Sequence, residues 1–138
     1  TVALLSIGSE EEKGNLVSKA VYAMLKTSGL NFIGNIEGTD LYYKHAADVI
    51  VCDGFAGNIL LKASEAFYVF SRKIGFKHEQ LEKYNYENIG GTPILGVNDV
   101  AVIGHGISND KAIKNMIRQT YQVAKSNLIE KINAAFKE

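Results

Sequence analysis

The chain has 138 residues, 46% apolar and 22% charged, which is enough for one sizeable core and excludes a disordered or fibrous protein. Fifteen basic residues balance fifteen acidic ones, so no global field draws in nucleic acid or an anionic membrane, and any anion site must be local. One cysteine excludes an internal disulfide, and no apolar run approaches the roughly 20 residues that span a bilayer.

The chain opens without Met on Val2 to Ile7, an apolar run too short for a helix that reads as a buried strand. A polypeptide that starts inside an element is expected to be part of a longer one, and with no secretory leader visible the default compartment is the cytoplasm. Leu16, Ala20, Ala23 and Met24 then mark a helix that stops near Ser28-Gly29. Phe32 to Ile36 is a second strand and Asp48 to Asp53 a third. Ile59, Leu60, Ala63, Phe67, Phe70 and Ile74 mark a second helix, ending near Gly75. Lys77 to Thr92 is polar and aperiodic and reads as a short helix and a loop. Val100 to Ile103 is the fourth strand, and apolar residues from Ala112 to Phe136 recur as one long helix capped by Ser108 or Asn109. Strands alternating with helices predict an α/β fold with parallel pairing through right-handed crossovers. Four strands are few for a doubly wound sheet, which again points to a partial chain forming one domain over residues 1–138.

In a parallel sheet every strand-to-helix turn falls on the carboxyl edge, so distant residues become neighbours there. Four junctions qualify: Gly8 to Asn15, Asn35 to Asp40, Asp53 to Asn58, and Gly104 to Asn109. Each mixes glycine with small polar or charged side chains, and helix starts add unpaired N–H groups and partial positive charge. A phosphate is the economical ligand; turn-making glycines and capping Ser or Asn are the plain alternative for any one junction.

Single residues carry the same two readings. His105, between Gly104 and Gly106, is either a general acid or base or a turn histidine. Lys13 either neutralises a phosphate beside Gly14 and Asn15 or sits in an exposed charged turn with Glu10, Glu11 and Glu12. Lys62 either reaches back to a ligand or faces solvent. His45 and His78 read as surface residues, and Cys52 as a buried structural thiol. Asp48 and Asp53, about 16 Å apart along a strand, are too distant to share a metal ion.

As a set, the runs "IGSEEEKGN", "NFIGNIEGTD", "ADVIVCDGFAGNILLK", "GGTPILG" and "HGISNDKAIKNMIRQ" resemble the PlsX family, the acyl-carrier-protein-dependent phosphate acyltransferases of bacterial phospholipid synthesis. The resemblance covers nearly the whole chain and corresponds to the C-terminal half of a family member. It implies a three-layer, doubly wound enzyme of the isopropylmalate dehydrogenase-like type, working as a homodimer near the membrane. The reaction moves a fatty acyl group from acyl-carrier protein to inorganic phosphate, with no redox cofactor, no metal and no covalent enzyme intermediate.

On that reading Lys13 and the amides near Gly57 and Asn58 hold phosphate, His105 serves the leaving thiolate or the oxyanion, and Asn15 and Asn58 are oxyanion donors. Asn35, Asp53, Gly54, Lys62, Gly106 and Ser108 complete the substrate-binding set. Thr39, Ile89 and Ile107 depart from the family pattern, and the tract between Phe70 and Tyr86 is shorter than the family's membrane-associated helical hairpin. The rival readings are a phosphotransacetylase-like enzyme using coenzyme A, a decarboxylating dehydrogenase of the same fold, and a non-catalytic dimerisation module.

Overall fold

Strand β1 (Val2–Leu5) is the centre of a three-stranded parallel sheet of order β2-β1-β3, with β2 at Phe32–Ile36 and β3 at Val49–Val51. The computed structural model describes residues 1–43 and 46–136; the side chain of Tyr43 and the expectation for His45 lie outside that description. Ala3 and Leu4 of β1 and Ile36 of β2 are buried, as a central strand read from a continuous apolar run requires. Helix α1 (Leu16–Lys26) links β1 to β2, and the short α2 (Asp40–Tyr43) lies between β2 and β3.

The β1–β2 register slips. Val2 faces Phe32, but Leu4 faces Asn35, so β2 carries one extra residue between these pairs. Gly34 sits there with φ +97°, a backbone that a side chain would strain, and this bulge sets the face on which Asn35 falls.

Helix α3 (Gly54–Lys73) follows β3 and starts five residues before the first apolar position read from the sequence, because Asp53 caps it: Asp53 Oδ1 accepts from Ala56 N at 2.9 Å. Lys62 therefore lies in the third turn of α3, not one turn in. Contacts divide the chain into two compact units, Thr1–Ala63 and Ser64–Glu138.

In the second unit the tract expected to be a short helix and loop holds a 3₁₀ turn (Glu79–Tyr84), helix α4 (Tyr86–Ile89) and a strand, β4 (Gly91–Ile94). His78 is exposed, as expected, and its Nδ1 accepts from Gln80 N at the start of the 3₁₀ turn. Strand β4 pairs antiparallel with β5 (Ala101–Gly104), Gly91 opposite Gly104 and Ile94 opposite Ala101. This corrects the expectation of parallel pairing throughout, and the α/β chain is mostly parallel. A connection of only six residues between β4 and β5 closes a hairpin but cannot make a parallel crossover. The glycines and Pro93 hid β4 from its composition.

The long C-terminal helix is also corrected. It is two helices, α5 (Asp110–Lys125) and α6 (Leu128–Ala135), broken at Asn127, whose φ of 53° belongs to a left-handed turn that asparagine tolerates. Asn109, not Ser108, caps α5, its Oδ1 accepting from Ala112 N at 3.0 Å. Ile113 and Ile117 of its apolar stripe, read as packing against the sheet or a dimer partner, are 40% and 63% exposed. Fully buried Ala112, together with Met116, marks the packed face instead: a Cβ built on Gly104 would lie 2.9 Å from Met116 Sδ, and one on Gly91 3.1 Å from its Cγ. Among the described residues no helix is long and apolar enough to cross a membrane.

Candidate functional site

In the first unit the carboxyl end of β1 runs into the Gly8–Asn15 loop. Asn35 is 7% exposed, and its Nδ2 donates to Glu10 O at 2.8 Å across 25 residues of chain. The same carbonyl accepts from Lys13 N at 3.1 Å and so closes a turn from Glu10 to Lys13. A Cβ on buried Gly8 would lie 2.8 Å from Lys13 Cγ, so the alkyl stem of the lysine crosses that glycine. Lys13 itself is exposed. Glu11 pairs with Lys26 at 2.8 Å, which takes one of the three neighbouring carboxylates away from Lys13.

Asn15 is the N-cap of α1, its Oδ1 accepting from Ser18 N at 2.9 Å, while Ser18 Oγ donates back to Asn15 O at 3.0 Å. The first turn of α1 contains no acidic residue. Asn15 and Asp53, two of the residues singled out from the sequence, line one cavity of about 110 Å³ at the carboxyl ends of β1 and β3. Leu4, Leu5, Val17, Val21 and Val51 make its wall apolar, with Ser18 and Cys52 adding the other polar groups.

The α3 start is different in charge. Asp53 caps it with a carboxylate, and Asp53 O accepts from Gly57 N at 2.9 Å, so an anion there meets a negative charge and a consumed amide. Gly54 opens the helix with clear space beside it, and Asn58 and Lys62 are exposed on α3. A Cβ on Gly57 would lie 2.7 Å from Cys52 Sγ. Cys52 is exposed, against the expectation of a buried thiol, because β3 ends at Val51 and strand alternation no longer directs the next side chain.

We expect Gly57→Ala to cost about 1 kcal/mol in denaturant unfolding, the crowding of Cys52 outweighing the gain in helix propensity. Adding Cys52→Ala should restore most of it. Equal loss in the two backgrounds would show that the glycine does not serve this contact.

In the second unit His105 follows β5. Its Nε2 lies 3.6 Å from Glu65 Oε1, and its ring meets Tyr86 edge-on at 5.4 Å between centroids. The His105 carbonyl accepts from Ser108 N at 3.0 Å and from Ser108 Oγ at 2.6 Å, so this hydroxyl closes the turn into α5, while Gly106 stands at its exposed corner. Beside it, Asn109 Nδ2 donates to Glu87 Oε1 at 2.7 Å and Lys111 Nζ stands 3.4 Å from Glu87 Oε2. The Asn109 hydrogen bond, opposed by partial burial and aided by Lys111, holds the Glu87 carboxyl below the usual carboxylate range.

Glu65, Tyr86 and Glu87 were not singled out from the sequence, where an ordinary helical glutamate and a polar tract gave no sign of them. An open groove of about 420 Å³ in the same unit is lined by Tyr68, Val69, Arg72, Lys73, Asn85, Tyr86 and Glu87. Among the described residues no group of three His, Cys, Asp or Glu side chains converges as a metal site would require. Asp48 Oδ2 instead accepts from the Thr1 hydroxyl at 2.7 Å.

A family model described as "Fatty acid synthesis protein" matches residues 1–131. The chain belongs to this family, the PlsX family. Relatives named "Phosphate acyltransferase" include those of Desulfitobacterium hafniense (strain DSM 10664 / DCB-2), 42% identical over 95% of this chain and 45% of the relative, and Heliobacterium modesticaldum, 43% identical over 95% and 44%. The Clostridium acetobutylicum relative is 38% identical over 100% of this chain and 47% of its own length. This PlsX chain thus spans about half the length of the curated relatives it matches. Its alignment with the Clostridium acetobutylicum protein runs over 157 positions against 138 residues, so at least 19 positions of that relative face no residue here. The matched region is shorter in this chain than in that relative.

Proposed function

We propose that the chain is the C-terminal part of an enzyme that transfers a fatty acyl group from acyl-carrier protein to inorganic phosphate, in phospholipid synthesis. The observation that carries this reading is the family match over residues 1–131, joined by relatives named for phosphate acyl transfer. The whole enzyme is proposed to have the three-layer doubly wound fold of the isopropylmalate dehydrogenase-like type, with residues 1–138 in one α/β domain. It works in the cytoplasm as a homodimer with a peripheral membrane contact, and needs neither redox cofactor nor metal.

In the step itself a phosphate oxygen bonds to the thioester carbonyl carbon, the C–S bond breaks, and the pantetheine thiolate leaves and takes up a proton. The protein's work is to position an anion and to stabilise the oxyanion. Between the starts of α1 and α3, that of α1 suits phosphate better: its cap is neutral Asn15 and Lys13 lies two residues before it, whereas α3 begins on the Asp53 carboxylate. Phosphate is therefore assigned to Lys13, as the resemblance implied, and to the Gly14–Asn15 turn in place of the amides near Gly57 and Asn58. Gly54, Asn58 and Lys62 remain proposed substrate contacts on α3, with Asn15 and Asn58 as oxyanion donors. In the second unit His105 is proposed to protonate the leaving thiolate, with Gly106 and Ser108 shaping its turn.

The test is acyl phosphate formation by the full-length protein, with acyl-carrier protein and coenzyme A thioesters compared. Turnover is expected with the carrier-protein thioester, and Lys13→Ala is expected to raise the phosphate KM roughly ten-fold while leaving the thioester KM near wild type. Turnover confined to coenzyme A thioesters would replace this reading with the phosphotransacetylase-like one. No acyl phosphate from either donor would end it.

A further inference from the structure

We infer that Asn35 is a positioning residue that acts through the Glu10 carbonyl to hold Lys13 and the Gly8–Asn15 loop over the carboxyl edge of β1 and β2. The inference rests on the proposed phosphate role of Lys13 and names the device that sets that lysine.

Asn35 is unsuited to touching substrate itself. It is 93% buried, from its 7% exposure, and its one amide nitrogen is directed at a backbone carbonyl 25 residues away. Its Oδ1 is buried with no hydrogen-bond partner, as is Ser6 Oγ. A buried, partly satisfied amide costs stability that an apolar residue of similar size would not, so the bond it does make calls for a reason.

That bond goes to the carbonyl that also accepts Lys13 N. Two donors on one oxygen, one from the loop and one from the sheet, tie the Glu10–Lys13 turn to β2. Without the Asn35 bond the turn would keep one local backbone hydrogen bond and the exposed Glu11–Lys26 pair, contacts of the kind that open readily. The bulge at Gly34 belongs to the same device. With regular pairing Leu4 would face Gly34, and the side chain at position 35 would turn to the other face of the sheet.

Amide hydrogen exchange on the full-length protein gives a test independent of turnover. In the wild type the Lys13 amide should be protected together with β1 and β2, and an unprotected Lys13 amide would overturn the proposal without any variant. In Asn35→Ala, exchange of the Lys13 amide should rise about ten-fold or more while β1 amides keep their protection, in line with the loss of one supporting hydrogen bond. Unchanged exchange at Lys13, or a uniform rise across the sheet, would reduce Asn35 to core packing.

The second arm is kinetic. Asn35→Ala should raise the phosphate KM several-fold to about ten-fold with little change in kcat, and adding Lys13→Ala should produce little further increase, since both act at one point. Multiplying effects would overturn the link to Lys13. If Lys13→Ala alone leaves the phosphate KM unchanged, the phosphate reading of Lys13 fails, and the exchange result decides the positioning role by itself.

Discussion

His105→Ala in the full-length protein should lower kcat for acyl phosphate formation by about 10² to 10⁴, the usual range for losing a group that moves a proton in the transition state. The phosphate KM should change little, because the imidazole is proposed to serve the leaving thiolate. Stability should also change little: among the described residues the ring meets Tyr86 edge-on and has a carboxylate oxygen 3.6 Å from Nε2, beyond hydrogen-bond length. The turn that carries His105 is held by its backbone carbonyl, which alanine retains. Thermal denaturation and steady-state kinetics on one preparation therefore separate the two roles the sequence left open. A fall in activity that tracks a fall in melting temperature, with kcat of the folded fraction unchanged, would make this a turn histidine and remove it from the chemistry.

Gly90→Ala should be among the most destabilising single-methyl additions in the chain, by about 3 kcal/mol or more. Gly90 ends α4 with φ +88°, and a Cβ there would lie 2.7 Å from Asn115 C and 2.9 Å from Met116 Cα, within the backbone of α5. Backbone atoms cannot swing aside as a side-chain end can, so α5 must move off β4 and β5 or the conformation at Gly90 must change. Gly29→Ala supplies the control: Gly29 has a similar φ of +77° with nothing within 4 Å of the added Cβ. It should lose only the conformational part, about 1 kcal/mol. Denaturant unfolding of both variants isolates the contact as their difference. Equal losses would mean that α5 is not seated on this glycine.

Several features were legible in the residues alone. The apolar runs gave β1, β2, β3 and β5, the 3.6-residue spacing gave α1 and the body of α3, and the five quoted runs led to the family that the comparison then established. These are local matters: backbone periodicity and turn chemistry act over a few residues, and so does a motif. Strand β4 escaped because Gly91 and Pro93 contradict strand composition, and only pairing with β5 makes a strand of them. The single C-terminal helix was misread because its apolar period passes through Asn127 unbroken, while one left-handed residue ends the hydrogen-bond ladder.

The amino-acid sequence by itself determined which positions carry glycine, amide, lysine and imidazole at the strand ends, and hence the chemistry available there. Tertiary structure decided which of those groups are already used. Asp53 is consumed as the cap of α3, Ser108 by the carbonyl of His105 and Asn35 by Glu10 O, while Lys13 remains exposed beside a helix start with a neutral cap. A polar side chain has a fixed number of donors and acceptors, and their partners are set by register, bulge and packing between segments up to tens of residues apart. Spacing along the chain specifies where a group sits on its own element, but not what it meets across the fold.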